Sequence, residues 1–182
     1  MIYVCSLREM PEHVASLRPH RVVSLMAAED QPPTPPGLPA DRHLRIEIDD
    51  VCAATAGAVV PCAEHVAALL DGLDGWSGEP PILIHCVAGV SRSMAAALIT
   101  AASRAPSREL ELALRLRRAA PHAQPNRLMI ELGDALLGCN GRLSAALAAM
   151  GAATPVEQAP LVRLALSADA AAAGVSAPAP GR

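Results

Sequence analysis

Apolar positions along the chain fall into two periods. Ile2–Leu7, Arg21–Met26 and Ile82–His85 are short, nearly continuous apolar runs of strand length, and such runs predict strands buried on both faces of a parallel sheet. Leu44, Ile46 and Ile48 instead alternate with charged Arg45 and Glu47, the pattern of a half-buried strand. Helical spacing fills the intervals. It covers Met10–Leu17, with Pro11 near its start, and Pro61–Leu73, with Val66, Leu69, Leu70 and Leu73 on one side. A buried helix opens at Ser93 and runs to about Ser103, and three more are predicted over Ser107–Ala119, Pro125–Leu137 and Arg142–Met150. Ser107 with Glu109 and Glu111 reads as a helix start. This order predicts an α/β fold, a three-layer α/β/α domain around a mostly parallel sheet of about four to five strands.

Two segments break the pattern. Residues 31–40 hold five prolines and form a stiff exposed loop before the alternating strand. After Gly151 the chain turns to Ala, Pro, Val and Gly with few charges. A domain over residues 1–150 followed by a flexible tail over 151–182 is therefore expected, with Leu161–Leu166 able to pack locally.

Composition narrows the function classes. The chain has 182 residues, is 52% hydrophobic, and lacks Phe entirely, so its core must be aliphatic. All of its basic residues are Arg. That excludes nucleotide binding through a P-loop Lys, and with the Ala, Pro and Gly excess it suggests a high-GC bacterial genome. A net charge of −3 gives no reason to expect nucleic acid or anionic membrane partners. Cys5, Cys52, Cys62, Cys86 and Cys139 are odd in number and scattered, which argues against a disulfide framework or a zinc site and for a reducing compartment. The first residues lack a secretory pattern and no run approaches a membrane span, so the cytoplasm is the expected location.

The chemistry concentrates in residues 82–93, Ile-Leu-Ile-His-Cys-Val-Ala-Gly-Val-Ser-Arg-Ser. A bare Cys-x5-Arg carries little weight, since this composition produces about 0.4 such pairs by chance. Its setting carries more: a strand before it, Gly89 inside it, and Ser91 and Ser93 beside Arg92, with a helix behind. Backbone N–H groups of Val87, Ala88, Gly89, Val90 and Ser91 would converge at a helix N-terminus, a ready site for an anion. Arg92 adds a planar fork suited to two phosphate oxygens. The same field favours a thiolate at Cys86, placed for in-line attack on bound phosphate.

His85-Cys86-Val87-Ala88-Gly89-Val90-Ser91-Arg92-Ser93 resembles the signature loop of the cysteine-dependent protein tyrosine phosphatases, closest to the compact dual-specificity-like branch and the small bacterial tyrosine phosphatases. The resemblance implies a phosphomonoester hydrolase with a phosphocysteine intermediate and no metal or cofactor. Cys86 would be the nucleophile, Arg92 the phosphate clamp and Ser93 the hydroxyl easing thiolate departure. His85 would tune the thiolate through the loop, or simply satisfy backbone as a buried His often does. Low-molecular-weight tyrosine phosphatases are a different arrangement, with the loop at the extreme N-terminus and the acid beside a Pro. Here the loop is mid-chain and no Asp-Pro occurs, while Asp134 sits in an apolar helical pattern and reads as structural.

The leaving oxygen needs a proton, and family members supply it from an Asp on an upstream loop. Asp49 and Asp50 close the alternating strand. Asp50, at the exit, is the favoured general acid and Asp49 the alternative, with turn formation the competing role for both. Pro125-Asn126 resembles a segment in which the Asn supports the signature loop, and a helix cap at Asn126 fits equally well. Arg115, Arg117 and Arg118 read either as a solvated face or as a secondary site for an acidic substrate. The loop holds no cation besides Arg92, which disfavours a polyanionic lipid and points to phosphotyrosine proteins or small aryl phosphates. The alternatives are a phosphatase of a lipid, nucleotide or RNA end, and a phosphate-binding module without turnover.

Overall fold

The structure, a computed structural model, describes residues 1–167. Its sheet has the order β3-β2-β4-β1-β5, built from β1 (Ile2–Ser6), β2 (Arg21–Met26), β3 (His43–Glu47), β4 (Ile82–Cys86) and β5 (Val162–Leu164). The first four strands run parallel and β5 antiparallel to β1. The helices are α1 (Met10–Leu17), α2 (Ala63–Gly72), α3 (Arg92–Arg104), α4 (Glu109–Ala119), α5 (Arg127–Leu136) and α6 (Arg142–Ala149). No helix among the described residues is long and apolar enough to cross a membrane.

Strand alternation sorts the core into two layers. Ile2, Val4, Val23, Leu25, Ile46, Ile82 and Ile84 face α2–α6, and Cys5, Val22 and Leu83 face α1 together with Leu38 of the proline-rich loop and Leu161. The thick layer is centred on α3, in which every residue from Arg92 to Ala102 is buried. Its alanines let neighbours approach closely. At Gly133 of α5, an added Cβ would lie 2.7 Å from Ile99 Cγ1. Short side chains at helix contacts are how a core without Phe reaches native packing density.

The local packing expected of Leu161–Leu166 takes the form of a strand: Val162–Leu164 pairs with β1 in the register Ile2↔Leu164 and Val4↔Val162. Without it β1 would be a bare edge with unpaired N–H and C=O groups. Val162 and Leu164 bury inward, and Arg108 and Arg115 donate to the carbonyls of Leu166 (3.0 Å) and Ser167 (2.6 Å). Residues 168–182 of the expected tail lie outside the described residues.

Helix starts differ from expectation at one point. Ser107 has φ +66° and its side chain caps nothing; α4 begins at Glu109, after Arg108. Asp134 is structural, as its pattern implied. Its carboxylate accepts from Gly141 N (2.6 Å), Leu143 N (2.7 Å) and Ser144 N (2.9 Å), so a side chain of α5 caps α6. Burial alone would raise its pKa, but the backbone donors of Ser144, Gly141 and Leu143 outweigh it and hold the carboxyl below its ordinary range.

Glu109 is buried and pairs with Arg142 at 3.1 Å, which draws its carboxyl down to about 2. A free Glu titrates near about 4.3, so this group contributes full stability above that range and loses it as pH falls toward about 2. Thermal melts taken from about pH 6 down to about pH 3 should show a falling Tm, and Glu109→Gln should flatten that slope while lowering Tm by a few degrees at about pH 6.

Candidate active site

β4 delivers Cys86 to the C-terminal edge of the sheet, and α3 starts six residues later at Arg92. The loop between them is shaped by its outward carbonyls. Val87 O accepts from Leu7 N (3.0 Å), Ala88 O from Ala159 N (2.8 Å) and Val90 O from Gln124 N (3.0 Å). In a trans peptide the N–H points away from its carbonyl, so the amides that follow these carbonyls turn to the inner side of the loop. Gly89 N reaches Cys86 Sγ at 3.3 Å, and Ser93 Oγ lies 3.2 Å from the same sulfur. Gly89 N–H donates to the sulfur, and the Ser93 hydroxyl can do so when its proton turns that way.

Gly89 is required twice over. Its φ is +75°, and a Cβ there would stand 2.7 Å from Cys5 C and 2.9 Å from Ser6 N. The loop therefore leans on the backbone at the end of β1.

Cys86 is 2% exposed and lies at the floor of a cavity of about 520 Å³, walled by Asp50, Val87, Arg92, Asn126 and Val156 among others. Arg92 Nη1 donates to Ile48 O (2.8 Å), which fixes the guanidinium beside the loop, and its Nε stands 3.9 Å from Asp50 Oδ2. The two aspartates separate. Asp49 closes the 49–59 loop by accepting from Val59 N (2.7 Å) while donating its own N–H to Val59 O (2.9 Å). Asp50 turns into the cavity, where its Oδ1 accepts from Ser91 Oγ (2.7 Å) and Asn126 Nδ2 (2.9 Å). Asn126 performs both roles open to it: Oδ1 caps α5 through Met129 N (3.1 Å), and Nδ2 holds Asp50 and Val51 O.

Comparison with known proteins agrees with this architecture at the level of the backbone. No family model matches the sequence, and no curated protein matches it. Solved structures do. DUSP15 superposes with a TM-score of 0.58 at 14% identity, covering 82% of this chain and 89% of its own. The Yvh1 phosphatase domain from Chaetomium thermophilum gives 0.54 at 19% identity, covering 78% and 93%. A variant of human DUSP28 gives 0.52 at 21% identity, covering 81% and 92%. The chain shares the fold of these solved phosphatase structures.

Within that fold, Cys86, Arg92 and Asp50 line one cavity, Ser93 is buried against the Cys86 sulfur, Asp49 stays outside the cavity, and His85 lies behind the loop, fully buried. The arginines of α4 are neither a bare solvated face nor a free anion site at two of three positions. Arg115 binds Glu111 and Ser167 O, and Arg117 donates to the carbonyls of Met150, Pro121 and Gly151. Sequence reasoning missed Val156, which nothing in its low-charge surroundings marks out. Nor did it single out Ser24, whose Oγ lies 2.6 Å from His85 Nε2 and 2.8 Å from His43 Nε2 behind the loop, although a hydroxyl inside an apolar strand run was a signal.

Gly89→Ala should distort the loop without altering Cys86 itself. Inorganic phosphate should slow alkylation of Cys86 by iodoacetamide in the parent chain, and that protection should weaken by about tenfold or more in the variant.

Proposed function

We propose that the chain is a phosphomonoester hydrolase that works through a phosphocysteine on Cys86 and acts on phosphotyrosine proteins or small aryl phosphates. The observation that carries this is the sulfur at the cavity floor with Gly89 N–H and Ser93 Oγ as donors, and Arg92 and Asp50 on the same wall. The phosphate enters with its oxygens toward the loop amides and Arg92. The Cys86 thiolate attacks phosphorus as the P–O bond to the alcohol or phenol breaks, and Asp50 gives the departing oxygen its proton. Water then attacks phosphorus as the P–S bond breaks, Asp50 takes the proton from that water, and inorganic phosphate leaves the thiolate free. Ser93 stabilises that thiolate in the second step.

Asp50 favours turnover over mere binding. Its Oδ1 is held by Ser91 and Asn126, and Oδ2, 3.9 Å from Arg92 Nε, is the oxygen that would carry the proton. The rim supports an aryl substrate. Val87 and Val156 are each more than two-fifths exposed where they line the cavity, a pair of apolar surfaces suited to a ring. The segment bearing Val156 is anchored to the loop through Ala159 N and Ala88 O.

Hydrolysis of p-nitrophenyl phosphate in the presence of EDTA tests the mechanism. It should proceed, and Cys86→Ser should abolish it; activity in that variant, or strict dependence on a metal, would exclude the covalent route. Asp50→Ala should lower kcat on a phosphotyrosine peptide by about 10²-fold and much less on p-nitrophenyl phosphate, whose leaving group needs no proton. Asp49→Ala should leave that contrast absent. Val156→Asp should raise KM for aryl phosphates several-fold with little change in kcat, read from initial rates.

A further inference from the structure

The cavity that holds Cys86 does not end at its own rim. Gln124, Pro125 and Arg127 border it and also border a second depression of about 470 Å³, whose other side is formed by Leu147 and Ala148 of α6. Arg127, Leu147 and Ala148 in turn border a third, of about 280 Å³, between α5 and α6. The three make one track, and Arg127 touches each of them. The chain just after α6 walls the second depression, and Arg117 fixes that wall by donating to Met150 O (3.0 Å) and Gly151 O (3.2 Å). A phosphate bound at the signature loop anchors a ligand at one end of the track. Only a ligand that continues past the phosphorylated ring can use the rest.

The chemistry along the track selects among such ligands. Arg92 is committed to Ile48 O and Arg117 to backbone carbonyls. Arg127, with a side chain 78% exposed, is paired with Glu131 one turn further along α5, at 2.9 Å. An i,i+4 pair so open to water is weak, and Arg before Glu is its less favourable order, so a carboxylate brought by a ligand readily gains the guanidinium. The Gln124 side chain is exposed and has no partner among the described residues, and its amide can donate to and accept from a peptide group. Pro125, Leu147 and Ala148 supply apolar surface between the charges. Charge, amide and small apolar surface in a row match an extended polypeptide, whose side chains alternate along the strand and whose backbone groups need partners. No residue bordering the three depressions is aromatic, so a nucleic acid base has nothing to stack on. A headgroup with several phosphates would need more than one uncommitted cation.

We propose that this track is a substrate subsite for the polypeptide flanking a phosphotyrosine, with an Asp or Glu within about three residues of that tyrosine paired to Arg127 and the intervening residues laid over Pro125, Leu147 and Ala148. The inference rests on the proposed function and deepens it: the substrate is a segment of a phosphotyrosine protein, not a free aryl phosphate. Arg127 touches no reacting atom and determines specificity. The acidic-substrate site that the sequence suggested on α4 thus moves to the first residue of α5, because Arg115 and Arg117 are committed elsewhere.

Phosphotyrosine peptides with Ala at every flanking position but one, where a Glu is moved step by step from one side of the tyrosine to the other, test this. In the parent chain Glu should raise kcat/KM about fivefold over the all-Ala peptide, on one side of the tyrosine only and through KM, and the rise should fade at about 1 M NaCl. Arg127→Ala should bring the Glu-to-Ala ratio to about one, and Arg127→Glu should transfer the preference to peptides with Lys at the same position. Ala148→Trp, which fills the second depression, should erase the advantage of peptides extended on that side over peptides truncated at the tyrosine. A flat Glu scan, or a preference that survives Arg127→Ala, would overturn the proposal. If p-nitrophenyl phosphate is hydrolysed while the scan is flat, the phosphatase reading stands and the subsite alone falls. If the chain hydrolyses nothing, fluorescence polarisation of the same peptides on the parent chain and on Arg127→Ala yields the same ratios as binding, and they support or refute the subsite by themselves.

Discussion

The site depends on one steric constraint, the close approach of Gly89 to the backbone of Cys5 and Ser6. β1 and β4 are neighbours in register, with Ser6 opposite Cys86, so the end of one strand forms the floor under the turn that follows the other. Any side chain at Gly89 would push the loop away from that floor. The outward carbonyls would then lose Leu7, Gln124 and Ala159, and the inward amides would lose their direction. A loop whose inner face is made of backbone has no side chain to adjust, so its accuracy is that of the strands and helix that hold it.

Around this point three segments distant in sequence each supply one wall. The 49–59 loop divides its adjacent carboxylates between closing the loop and facing the cavity. The turn before α5 brings Asn126, whose amide caps its own helix and restrains Asp50 with one side chain. The stretch before β5 brings Val156. The guanidinium of Arg92 is aimed by the carbonyl of Ile48, just past β3, so its placement and that of the segment bearing Asp50 share one origin. The positions of Asp50 and Arg92 are thus not independent.

Local order was legible from the chain wherever a period was clear. The strand runs at 2–7, 21–26 and 82–85 and the helix behind Arg92 appear within a residue or two of expectation, because burial on both faces leaves a continuous apolar trace. The sulfur, the guanidinium and the serine of the loop were legible as neighbours for the same reason: they are close in sequence. Long-range partners left less trace. β5 is three residues long and owes its strand conformation to the vacant edge of β1, not to its own propensity. Ser107 looked like a cap by residue type, yet its left-handed backbone puts it outside the helix. The His43–Ser24–His85 line needs a sheet register that no single strand reveals.

The pairing of β1 with β5 joins the first residues of the chain to the last ones described, Ile2 beside Leu164. Contacts of such separation close the longest loop and carry the largest loop-closure entropy. The stretch that positions Val156 and ties Ala88 runs up to that strand. One wall of the cavity is therefore held by the closing of the sheet's edge, whereas the loop around Cys86 is held by β4 and α3, its neighbours in sequence.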